Sequence, residues 1–168
     1  MNTPFIFRFA AFCLLLPGML SAQVFTKTFS AGDTLTNQAK CYNARHIYFK
    51  LDKADLLEAS NPMLDSMAAF LKRNDSLVVQ IGVHGSTRNA ATSCNKITQN
   101  RAMAIGQYLT DRGVSQQRLV CKGYGQTHLL YTDAEINKVH DKKMQDVLHQ
   151  KNRRIEFVIL RSDFKMGK

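Results

Sequence analysis

Acidic residues are scarce in this chain, and one long stretch has none. No Asp or Glu occurs between Ser76 and Thr110, and over the whole 168 residues 13 acids face 23 Lys and Arg, a formal net charge of +10. Such a chain is drawn to anionic partners, and no paired-carboxylate catalytic site is legible in it. Metal-binding spacing is missing as well. The 4 cysteines form no Cys-x-x-Cys or Cys/His pattern, which argues against zinc. His128, His140 and His149 gather late in the chain, but not at the i, i+4 spacing that puts two imidazoles on one helical face. Cys94 and His84 are the nearest approach to a nucleophile and base, and nothing places an oxyanion hole beside them. No catalytic constellation and no cofactor motif is legible. Internal repeats and low-complexity tracts are also absent, so one domain with one core is expected.

Long apolar runs are lacking too. The longest, Phe9 to Leu20, is interrupted by Pro17 and Gly18 and is too short to span a bilayer comfortably. It follows Arg8, the only charge in the first 26 residues, and leads to Ser21-Ala22-Gln23. This is the form of a secretory signal, expected to be cleaved after residue 22, with an uncleaved N-terminal anchor as the alternative. The bulky Phe12 before Cys13 is unlike a lipoprotein box. Removing residues 1–22 deletes Arg8 and no acid, so the formal charge falls from +10 to +9. Export argues against nucleic acid as the anionic partner and leaves the cell wall or lipid head groups. In an oxidising compartment Cys41, Cys94 and Cys121 would form one disulfide and leave one thiol, in a pairing the spacing leaves open.

Residues 23–43 show no sustained apolar period and read as a lead-in; the domain is expected over 44–163. Ile47, Phe49 and Leu51 alternate with polar neighbours, which predicts a strand with one buried face. Asn61-Pro62 opens a helix with Leu64, Met67, Ala68 and Leu71 as its stripe. Leu77 to His84 alternates as a second strand. After the polar loop Gly85 to Ser93, a second helix places Ile97, Arg101, Ile105, Tyr108 and Leu109 on one face. A third strand is expected at Arg118 to Lys122, with Gly123-Tyr124-Gly125 turning out of it. A helical insert spans about 132–150, opened by the capping-box pair Thr132 and Glu135, and a last strand runs from Arg153 to Leu160. The order strand, helix, strand, helix, strand, insert, strand predicts an α+β two-layer sandwich: a βαβαβ(α)β unit with its helices packed on one face of a mixed sheet.

Four ordered stretches resemble an outer-membrane protein A-like (OmpA-like) domain. Phe49-Lys50-Leu51-Asp52 is similar to that family's first-strand signature, with Leu51 in place of an aromatic. Arg101-Ala102 with Ile105, Tyr108-Leu109 and Gly113 resembles its second helix. Arg118-Leu119 with Gly123-Tyr124-Gly125, and Asn152-Arg153-Arg154-Ile155-Glu156-Phe157, resemble its last two motifs. The likeness covers about Ile47 to Leu160, and the insert before Asn152 is similar to that of Bacteroidota members. The resemblance implies a periplasmic, non-enzymatic module, peripheral to the outer membrane, that binds peptidoglycan through the diaminopimelate side chain of the stem peptide.

In that family an aspartate after the second strand and an arginine in the next helix hold the ligand's ammonium and carboxylate. The chemistry asks for an acceptor-only anion beside a forked guanidinium. By this resemblance Arg101 is the arginine. The family's E-G-H-T-D falls on Gly82-Val83-His84-Gly85-Ser86, so Ser86 stands at the aspartate and Cys94 at an asparagine, which a one-residue shift would move to Asn95. Losing the carboxylate removes a contact worth about 1.5–3 kcal/mol, or about ten- to a hundredfold in affinity. Asp52 borders the pocket in this likeness, or else is a turn-forming Asp. Arg153 and Arg154 are expected on opposite faces of the last strand, so one of them at most serves the site. Arg101 itself either meets a ligand or closes an internal salt bridge with Asp52 or Glu156. If the wall ligand has been lost, the basic insert would contact another envelope protein instead.

Overall fold

The computed structural model describes residues 26–29 and 41–165. The leader expected at 1–22 lies outside the described residues. Among the described residues are five strands, β1 (Thr26–Phe29), β2 (Cys41–Ala44), β3 (Val78–His84), β4 (Leu119–Gly125) and β5 (Ile155–Arg161), and four α-helices, α1 (Asn61–Arg73), α2 (Ala91–Asp111), α3 (Asp133–Ile136) and α4 (Lys142–Asn152). One sheet has the order β1-β2-β5-β3-β4. β1 with β2 and β3 with β4 run parallel, whereas β5 lies antiparallel between β2 and β3. The mixed sheet and the α+β layering are as the chain's pattern implies.

The core forms where α1 and α2 cover one face of the sheet. Met63, Leu64, Met67 and Leu71 from α1, and Ala102, Ile105 and Leu109 from α2, pack on Val79, Ile81 and Val83 of β3 and on Tyr42 and Phe157. Pro62 occupies the first turn of α1, where a missing N–H costs nothing, and Lys72 and Arg73 sit at its negative C-terminal end. Arg118 is buried across that end. Its Nε donates to Leu77 O at 2.8 Å and its Nη2 to Leu71 O and Asn74 O at 2.8 and 2.6 Å, satisfying carbonyls the helix leaves open.

The strand expected from Ile47 does not form. The residues 47–51 contribute one isolated bridge, Phe49 to Leu56, and Leu51 is 88% exposed. Ile47, Phe49 and Leu56 pack against the core, so the alternation reports one-sided packing without a ladder partner. Tyr48 bonds Ser60 Oγ through both backbone groups, at 2.8 and 3.0 Å, instead of a neighbouring strand. Ser60, not Asn61, is therefore the residue before α1. The sheet strand comes earlier: β1 and β2 both arise within or beside the segment read as a lead-in.

Helix α2 is rotated from its expected stripe. Cys94, Thr98, Ala102, Ile105, Gly106 and Leu109 are buried, while Arg101 and Tyr108 lie at the flank. Small residues on that face let the helix settle onto β4. A Cβ on Gly123 would stand 2.2 Å from the Gln99 backbone nitrogen, so only glycine permits this approach. For the same reason Gly123-Tyr124-Gly125 continues β4 rather than turning out of it. The insert is two helices, α3 and α4, and not one. Thr132 and Glu135 do form a reciprocal capping box, and Asp141 caps α4 through Lys143 N.

Candidate ligand-binding site

At its C-terminal end β3 delivers His84 into a tightly held loop. Gly85 N donates to Gly125 O at 2.7 Å, and Gln126 Nε2 donates to Ser86 O and Asn89 O at 3.2 and 2.7 Å. The buried Cys94 thiol lies 3.9 Å from Ser86 O. A Cβ at Gly85 would come within 2.1 Å of that sulfur. Cys94 thus packs the loop from behind. Cys94 and Cys121 are free thiols, so none of the three pairings expected among Cys41, Cys94 and Cys121 is made.

Ser86 is 4% exposed and its hydroxyl lies 2.8 Å from His149 Nδ1 of α4. Thr87 bonds Asp133 and Arg88 pairs with Asp146, so three successive loop residues are tied to the insert. Burial lowers the pKa of His149, and the positive charges of Arg88 and Arg153 lower it further. A neutral imidazole, able to exchange one hydrogen bond with the serine, is the form this favours.

Arg101 projects from the flank of α2. Its Nε donates to Lys53 O at 2.9 Å, and its guanidinium carbon sits 4.8 Å from the Phe49 ring centroid. Burial lowers its pKa while the charge of Asp52 raises it, and it stays a cation at neutral pH. Among the described residues no carboxylate lies within ion-pair distance of it. The internal salt bridge is therefore not formed: Glu156 is engaged elsewhere, and Asp52 acts on Arg101 only through its field. Asp52 has φ 51° within the turn after Phe49, the conformation of a turn-forming Asp.

Arg101 opens onto a cavity of about 310 Å³ whose polar lining includes His84, Gln150, Arg153 and Arg154. Arg153 ends α4 and does not lie on β5, which begins only at Ile155. Its Nε reaches Gln150 Oε1 at 3.3 Å. Arg154 donates from Nε to Glu156 Oε1 at 2.7 Å and from Nη1 to His128 O at 3.1 Å. Glu156 Oε2 is 3.3 Å from His84 Nε2. His84 first, and then Arg154, hold the Glu156 carboxyl at about 2 against the upward push of burial. The His84 ring stacks on Tyr124 at 4.6 Å and 7°. A larger groove of about 730 Å³ adjoins, sharing Ile47, Tyr48, Gln150, Arg153, Arg154 and Ile155, and adds Arg45, Tyr131 and Lys151.

Of the residues singled out from sequence, Arg101 and Arg153 meet in one cavity, together with His84 and Arg154. Asp52 lies beside Arg101 but outside the lining, and Ser86 and Cys94 are turned away, toward His149 and the loop backbone. Sequence reasoning missed the partnership of His149 with Ser86, because those residues are 63 positions apart. It also missed Asn152. This fully buried amide accepts from Leu130 N and Tyr131 N at 2.8 and 3.0 Å and donates to Tyr131 O at 2.8 Å, closing the insert at its base. Its place at the head of the Asn152-Arg153-Arg154 motif was the available signal.

Comparison with known proteins bears on the fold. The peptidoglycan-associated lipoprotein from Burkholderia pseudomallei superposes with a TM-score of 0.54 at 20% identity, over 67% of this chain and 86% of that one. The OmpA-like domain of FopA1 from Francisella tularensis gives 0.52 at 20% identity, over 73% of each chain. The cell wall anchor of the T6SS from Pseudomonas aeruginosa gives 0.53 at 21% identity, over 67% and 74%. At these identities the likeness is one of fold. Photosystem I P700 chlorophyll a apoprotein A2 of Gloeobacter violaceus is 26% identical over 114 residues, a span of 68% of this chain but 13% of that protein. The OmpA family model matches residues 48–156. With that match over most of the chain, on a fold of the same layering, the chain belongs to the OmpA family.

Proposed function

We propose that this domain binds peptidoglycan non-covalently, with Arg101 holding a carboxylate of the stem peptide and Arg153 beside it. The observation behind this reading is a half-buried guanidinium at a cavity, with no protein carboxylate paired to it among the described residues. Such a group is a preorganised anion site, since its desolvation is already incurred and a ligand oxygen restores the missing partner. In this proposal residues 1–22 are a cleaved leader and 44–163 the binding domain. The protein is a periplasmic, non-enzymatic module at the outer membrane or wall, with binding weakened by Ser86 at the acid's position. The neighbours whose names refer to peptidoglycan or the cell wall support it.

Sedimentation with purified sacculi at 150 mM salt tests it. The wild type should co-sediment, and Arg101→Ala should lower retention about tenfold or more while the protein stays folded by circular dichroism. A wild type left in the supernatant even at low salt refutes the proposal.

One observation favours a second reading. On α4, Met144 and Val147 are 47% and 44% exposed beside lysines. Under it the insert contacts another envelope protein and the wall site is vestigial. Crosslinks that map to α4 in cells, together with no sacculus retention, would establish this reading over the first.

A further inference from the structure

A site for the head of a free α-amino acid needs an anion for the ammonium as well as a cation for the carboxylate. In this protein the cation is present and the anion is not. The cavity at Arg101 is lined by three arginines and no carboxylate. Two acids of the neighbouring elements are already engaged: Glu156 with Arg154 and His84, Asp146 with Arg88. The serine at the family's acid position is buried and bonded to His149. Asp52 stands outside the lining in its turn, and no acid occurs from Ser76 to Thr110. An ammonium entering with its carboxylate would therefore meet Arg153 rather than a partner. Like charges a few ångströms apart in a partly desolvated site repel by enough to cost several-fold to about tenfold in affinity.

Resting on the wall-binding reading, we infer that the Arg101 cavity selects carboxylates with no ammonium on the same carbon. In a stem peptide that class is a chain-terminal carboxylate, whose own amine is tied up as an amide. The zwitterionic centre of a diamino acid belongs to the disfavoured class. The insert is what makes the difference, since α4 supplies Arg153 and Gln150 to the cavity and His149 to Ser86. The peptide leading away from the bound terminus has room in the adjoining groove past Tyr48 and Lys151.

Pimelate and meso-diaminopimelate share one seven-carbon dicarboxylate skeleton and differ only in two ammonium groups. Each is titrated into the isotope-labelled protein at pH 7 and matched ionic strength, following the side-chain signals of Arg101 and Arg153 by NMR. Pimelate should shift these signals at about tenfold lower concentration, and Arg153→Ala should shrink that preference. Diaminopimelate binding as tightly or more tightly overturns the inference and leaves wall binding standing. Pimelate shifts spread over the basic surface and unaltered by Arg101→Ala overturn it as well. If neither ligand binds but sacculi still retain the protein, the inference alone fails. If sacculi do not retain it either, the proposed function fails with it.

Discussion

Glu156 offers a direct test of how the charged face beside the cavity is held. Its side chain is 19% exposed and meets Arg154 at 2.7 Å and His84 at 3.3 Å. These contacts lower its pKa from 4.5 to about 2. Each pH unit in that interval is worth about 1.36 kcal/mol, so the charged carboxylate stabilises the fold over its neutral form by about 3 kcal/mol. The folded pKa lies below the unfolded one. The contribution is therefore complete above about pH 4.5 and is lost as pH falls toward about 2. Glu156→Gln reproduces the neutral acid without changing shape. Urea unfolding of both proteins at several pH values gives the gap between them, and other titrating acids cancel in that difference. The gap should be about 3 kcal/mol at pH 7, already narrower at pH 3.5, and near zero at pH 2. A gap below about 1 kcal/mol at pH 7, the range of an exposed pair, would refute the argument, as would a gap that does not change with pH.

Two further outcomes follow from buried polar contacts. Arg118→Ala removes the guanidinium bonds to the Leu71, Asn74 and Leu77 carbonyls, of which Asn74 O still accepts from Leu77 N, and should lower urea-derived stability by about 2–3 kcal/mol, with Arg118→Lys recovering only part. Asn152→Ala removes three hydrogen bonds to residues 130 and 131, and should cost about 2–3 kcal/mol; amide exchange at Leu130 and Tyr131 should speed up more than exchange in β3.

The layering, β3, α1 and the four motifs were legible because each follows one-sided packing or local chemistry that a short window reveals. The edge of the sheet was not. β2 is four residues long and nearly all buried, so it shows no alternation, whereas the 47–51 stretch alternates without joining a ladder. Arg101 was legible as a site residue from its motif and its place among apolar neighbours. The absence of a carboxylate partner among the described residues was not, because that depends on where Glu156 and Asp52 point. The closure of Ser86 by His149 was beyond reach for a similar reason. Nothing within either local segment specifies a hydrogen bond between a loop and the last turns of a distant helix.

The place of β5 in the sheet sets a timetable for folding. It is the last of the described strands to be made, yet it lies between β2 and β3 and pairs with both. Until residues 155–161 emerge, β1 and β2 can pair with each other, and β3 with β4, but no backbone ladder joins the two pairs. A growing chain therefore holds two half-sheets with open inner edges and closes them in a single late event. Any chain ending before Ile155 should expose both edges at once, and should behave as an aggregation-prone fragment rather than a smaller version of the domain.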